Sequence, residues 1–148
     1  MNDDTADRIT RLLPPWMSAV DAINAAVAAR AGIGESDLAC LHEIVVDGPL
    51  PAGELARRLR LTTGAITRMV DRLAADGHVH RLRDDADRRR VLVAAAPGVR
   101  ERMTAHYARL DRATRGVLDG FSEEEGRAIA RFFEESLRAV HALAEEDV

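Results

Sequence analysis

The chain has no lysine and no glutamine, a single cysteine, and only 3% aromatic residues. All 21 basic side chains are therefore arginine, a bias that reads as a GC-rich genome with little functional meaning. One cysteine, Cys40, excludes an internal disulfide and fits a reducing cytoplasm. The scarcity of aromatics makes the core aliphatic and alanine-rich, as in helix bundles, and 47% hydrophobic residues are enough to supply it. No apolar run approaches the roughly 18 residues of a membrane span. The opening MNDDTADRIT is acidic and polar, so it does not read as a secretory signal, and a cytoplasmic protein is expected. Nucleophile elbow, phosphate loop, paired glycines after a strand and HExxH helix are all missing. Neither an enzyme nor a cofactor is expected.

What is there is charge, unevenly placed. The 148 residues carry a formal net charge of -4, which taken alone argues against a nucleic-acid partner. Arg57 to Arg90 nevertheless holds ten arginines against five acids, or +5, leaving -9 for the remainder. Phosphate neutralisation needs positive charge locally, because salt confines the interaction to about 10 Å.

The order of elements gives that charge a setting. A first helix is expected from about Asp4 to Ala31, interrupted or restarted at Pro14-Pro15, with Trp16, Val20, Ile23, Ala26 and Val27 on a 3.6-residue period. Gly32 and Gly34 end it, and Ser36 reads as the N-cap of a buried helix from Asp37 to Val46. Residues 47–53, DGPLPAG, form a turn cluster. A short helix around Glu54 to Leu59 follows, then Thr62 as the cap of a helix from Thr63 to Ala75. After Gly77 the pattern alternates: two strands around Arg83 to Arg90 make a wing with an arginine-rich tip. Pro97 opens a long helix to about Leu118, Gly120 breaks it, and Ser122 with Glu125 starts a last helix to about Glu145.

Helix, tight turn, helix and basic wing is the arrangement that seats one helix in a DNA groove. At about 100° per residue, Ile66, Met69, Val70 and Leu73 fall on one apolar stripe of the second helix. Gly64, Arg68 and Asp71 lie opposite, flanked by Thr67, Arg72 and Ala65. Small residues at the N-terminal end permit close approach to phosphates and base edges. Arg68 can offer a bidentate pair to guanine, and the threonines can meet phosphate or a thymine methyl. The fold class expected is mainly α with a small β-wing. Its winged helix-turn-helix lobe spans residues 34–96, between dimerisation helices at 1–33 and 97–148.

The stretch LARRLRLTTGAITRMVDRLAADGHVHRLRDDADRRRVLV resembles the MarR family of bacterial transcription regulators. Val70-Asp71-Arg72-Leu73, the Gly77 turn and Asp87-Arg88-Arg89 before Val91-Leu92-Val93 carry the likeness. One departure is Ala95-Ala96-Pro97, where the family shows Leu-Thr, so a frayed start is expected for the helix that follows. The resemblance implies a triangular homodimer, built on the terminal helices, that represses transcription from a pseudo-palindromic operator in double-stranded DNA. DNA would be met by Thr62, Thr63, Gly64, Ala65, Thr67, Arg68 and Arg72 on the helix and by Arg88, Arg89 and Arg90 on the wing. Arg89 would enter the minor groove, with Asp87 holding a wing arginine.

The family also implies a small-molecule effector, often aromatic or phenolic, that releases DNA. Candidate residues are few. Cys40, apolar on both sides, reads as an inert thiol rather than a redox sensor. His42 and His106 with Cys40 lack metal-ligand spacing, so no metal is expected. Trp16 suits a dimer core as well as a ligand-stacking wall. The alternative reading is a winged-helix adaptor that binds protein rather than DNA, whose recognition face would be acidic or apolar. Arg68, Arg72 and Arg88 to Arg90 argue against it.

Overall fold

The computed structural model describes residues 3–84, 87 and 90–146. Their order is α1 (Asp3–Ala31), α2 (Glu35–Asp47), β1 (Leu50–Pro51), α3 (Ala52–Arg58), α4 (Thr63–Ala75), β2 (Val79–Arg83), β3 (Val91–Ala95), α5 (Val99–Leu118) and α6 (Glu123–Glu146). The chain forms two compact units, Met1–Met103 and Thr104–Val148. It is mainly helical with a small sheet, as expected.

In the first unit the core is aliphatic. Leu38, Leu41 and Ile44 of α2, Leu55 of α3, and Ile66, Val70 and Leu73 of α4 are all buried, together with Val79 and Val93 of the sheet. The wheel reading of α4 thus holds: its four stripe residues, Met69 included, face inward. The sheet runs β1-β3-β2, antiparallel throughout, with Val79 opposite Ala95 and Arg83 opposite Val91. These two strands are the wing.

Several boundaries differ from the sequence reading, each for a local reason. α1 runs unbroken through Pro14 and Pro15. The carbonyls that lose their partners belong to Thr10 and Arg11, which are exposed, so water can take the place of the missing N–H groups. Ser36 is not the cap of α2. Gly34 occupies that position without a side-chain bond, Leu38 N–H donates to its carbonyl at 2.9 Å, and Ser36 lies inside the first turn. Within the 47–53 cluster, Leu50 and Pro51 pair with Val93 and Leu92 as a third strand, which two residues are too short to announce. Pro97 and Gly98 make a turn, so α5 begins at Val99.

Two helix ends share one geometry. At the end of α1, Ile33 N–H donates back to Ala28 O at 3.0 Å around Gly32 at φ +70°. At the end of α4, His78 N–H donates to Leu73 O at 2.8 Å around Gly77 at φ +73°. This closure needs a left-handed residue, and glycine takes that conformation without a Cβ penalty. Gly77 thereby turns the chain from α4 into the wing.

In the second unit, α6 starts on a reciprocal cap. Ser122 N–H donates to Glu125 Oε2 at 2.8 Å, and Glu125 N–H donates to Ser122 Oγ at 3.3 Å. These two residues satisfy orphan donors of the first turn, as the Ser-x-x-Glu spacing predicts. Bonds from the Ser122 backbone, then its hydroxyl, hold the Glu125 carboxyl below its usual range.

Candidate nucleic-acid interface

The DNA-facing residues expected on α4 are brought together at its N-terminal end. Thr62 adopts an extended conformation and its hydroxyl accepts from Ala65 N–H at 3.2 Å, which fixes where the helix starts. Thr62, Thr63, Gly64, Thr67 and Arg68 are exposed, and Ala65 is half-buried beneath them. The Thr67 hydroxyl donates to Thr63 O at 2.8 Å, so its lone pairs are what it can offer outward. Arg68 projects from this surface with its guanidinium near Gly64, where an added Cβ would lie 3.6 Å from Nη1.

Arg72 is placed differently. Its Nε and Nη2 donate to Asp37 Oδ2 and Oδ1 at 3.0 and 2.5 Å, a bidentate pair spanning α4 and α2. Asp37 is the one charged side chain buried among the described residues. The arginine expected on DNA is thus engaged as a strut between α4 and α2. A helical wheel cannot reveal this, because the partner lies 35 residues earlier on another helix.

Other arginines are also engaged. Arg58 donates to Glu54, Glu43 and Asp47 at 2.8, 2.9 and 2.5 Å and so clamps α3 to the end of α2. Hydrogen bonds from Arg57 and then Arg58 draw the Glu54 carboxyl down to about 2. Arg81 of β2 donates to Asp71 of α4 at 2.6 Å, tying the wing to α4. At the wing, Asp84 N–H donates to Arg90 O at 3.1 Å and Arg90 N–H to Asp87 O at 2.8 Å. The Arg90 guanidinium stands 3.7 Å from the Asp84 carboxylate. Arg88 and Arg89, and with them the expected bond from Asp87 to a tip arginine, lie outside the described residues.

The three effector candidates sit in different surroundings. Cys40 is fully buried, and burial first, then Asp37 and Glu43, push its thiol up to about 11. A thiol so held is protonated at neutral pH and a poor nucleophile. Burial holds His42 below its usual range, and Trp16 is largely exposed on α1. A shallow cavity of about 280 Å³ opens between Ile44, Pro49, Ala95, Pro97 and Arg100. None of the three candidates lines it. No group of three metal-ligating side chains forms among the described residues, and no described helix is long and apolar enough to cross a membrane.

Residues 33–91, the stretch that builds this surface, match the MarR family model. An uncharacterised HTH-type transcriptional regulator of Bacillus subtilis, YcgE, is 33% identical over 107 residues, covering 72% of this chain and 70% of its own. A MarR family protein from Bacillus stearothermophilus superposes with a TM-score of 0.67 at 25% identity, covering 96% of both chains. A mutant of MepR from S. aureus bound to an oligodeoxyribonucleotide shares the fold at a TM-score of 0.58 and 15% identity, covering 91% of this chain and 97% of its own. The positions of α4 and the wing strands, and these likenesses, lead to one conclusion: the chain belongs to the MarR family of transcriptional regulators.

Proposed function

We propose that this protein is a homodimeric repressor that grips a pseudo-palindromic operator with α4 in the major groove. The observation that carries the reading is the exposed α4 surface: a cap, small residues and hydroxyls surround Arg68, whose guanidinium meets no acid among the described residues. The acid three residues on, Asp71, could pair with it at helical spacing. Asp71 is instead committed to Arg81, and Arg68 is left to face a partner. Terminal segments 1–33 and 97–148 would hold the two protomers together, placing the recognition helices about one DNA turn, roughly 34 Å, apart. Release by a small aromatic or phenolic ligand is the regulation that family membership brings to this reading.

Binding of DNA flanking the gene should weaken steeply with salt. Each phosphate contact contributes about -0.9 to the slope of log K against log salt, so six contacts per dimer give about -5. A mobility-shift titration with a flat salt response would favour the adaptor instead. Arg68→Ala should reduce operator affinity by about 1–3 kcal/mol if the side chain pairs with a guanine, and affinity for mixed-sequence DNA by less. Equal losses on both DNAs would make Arg68 a phosphate contact.

A further inference from the structure

The α3–α4 turn closes in the same way as the ends of α1 and α4, but without glycine. Leu61 N–H donates to Ala56 O at 2.9 Å, the five-residue return bond seen at Ile33 and His78. The left-handed position inside it is taken by Arg60 at φ +53°, the one non-glycine residue at positive φ among the described residues. Where this chain makes the closure twice more it uses Gly32 and Gly77. Arginine there is strained by its Cβ, and such strain persists where the side chain has a use.

The folded protein itself gives that side chain no use. Arg60 is exposed, and no hydrogen bond or ion pair engages its guanidinium among the described residues. Favouring the α3 C-terminal dipole does not explain it, since Arg57 and Arg58 already stand in that last turn. Of the described arginines between Arg57 and Arg90, five are held by carboxylates: Arg57, Arg58, Arg72, Arg81 and Arg90. Arg60, Arg68 and Arg83 are the three left unengaged. Arg60 precedes the Thr62 cap by two residues, so it stands at the entrance of the recognition helix.

We propose that Arg60 is a DNA phosphate contact, held in a strained turn to deliver a free guanidinium beside the start of α4. The inference rests on the DNA-binding reading above. It separates two properties that a structural residue would keep together. Glycine fits the turn better than arginine, so Arg60→Gly should melt at the same temperature as wild type or higher. The same variant should lose affinity for operator and for sonicated mixed-sequence duplex by an equal factor. Its salt slope should become shallower by about 0.9 for each protomer, or about 1.8 for a dimer. Arg60→Lys, which keeps the charge, should retain the wild-type slope.

Titrations of wild type, Arg60→Gly and Arg60→Lys against both DNAs, with thermal melts of each, decide the matter. A wild type with steep salt dependence and an Arg60→Gly variant with the same slope overturns the phosphate contact alone. An Arg60→Gly protein that melts well below wild type makes Arg60 a folding residue and overturns it too. A wild type that binds neither DNA overturns the interface reading and this contact together.

Discussion

Arg72→Ala is expected to destabilise the protein more than Asp37→Ala, although the two side chains form one pair. The reason is their unequal surroundings. Asp37 is 5% exposed in the first turn of α2, whereas the Arg72 side chain retains 53% of its accessible surface. Removing the arginine leaves a buried carboxylate without its one side-chain donor among the described residues, and an unsatisfied buried polar group costs about 1–3 kcal/mol, more when charged. Removing the aspartate leaves an arginine that can turn into water. The double variant Asp37→Ala/Arg72→Ala should therefore be more stable than Arg72→Ala alone, since the stranded charge is gone. Urea melts of the four proteins form the cycle that measures this. Equal losses from the two single variants, with no recovery in the double, would show that the carboxylate finds water in the folded state. The double variant also separates two roles for Arg72. If it binds operator as wild type does, the arginine acts by joining α4 to α2; if affinity stays low while stability returns, it meets DNA as well.

The strut shows where the sequence stopped being readable. The α4 stripe, the Thr62 cap, the wing strands and the Ser122–Glu125 cap are each set by spacings of two to four residues, which the chain displays openly. Pairing across elements is not displayed. Counting charge along the chain gave +5 between Arg57 and Arg90, yet four acids outside that window, Asp37, Glu43, Asp47 and Glu54, close on Arg57, Arg58 and Arg72. Residues 37–90 hold ten arginines against nine acids, or +1. What the structure adds is sorting rather than excess. Acids of α2 and α3 take up Arg57, Arg58 and Arg72, whereas Arg60 in the α3–α4 turn and Arg68 on α4 meet no acid among the described residues. Arg60 could have been noticed from sequence only by knowing that its neighbours close a left-handed turn, which is a property of backbone bonds. Pro14-Pro15 misled for the opposite reason: proline carries a strong local rule, and exposure of the preceding turn relaxed it.

Leu137→Glu is expected to break the proposed homodimer, with an effect far beyond what the position would show in a monomer. Leu137 is 59% exposed on α6. A polar substitution at so open a site normally changes stability by less than about 0.5 kcal/mol. Leu137 is not alone, however. Ile129, Phe132, Phe133, Leu137 and Val140 recur at helical spacing, and all but Ile129 are exposed. On α1, Leu12, Trp16 and Met17 are exposed in the same way. Exposed apolar stripes of this length mark a contact surface, and in the proposed homodimer a second copy of this chain would supply a matching one by two-fold symmetry. A carboxylate buried there would be met by its own symmetry mate or by phenylalanine. Wild type should run in light scattering at twice 16.2 kDa, with a melting temperature that rises with protein concentration. Leu137→Glu should dissociate at micromolar concentration and melt lower. DNA affinity should fall with it, since a single recognition helix keeps only half of the operator contacts. A wild type that is a stable monomer would remove the dimer outright. A Leu137→Glu protein with unchanged mass and melting would leave α6 outside the interface and move the search to the α1 stripe.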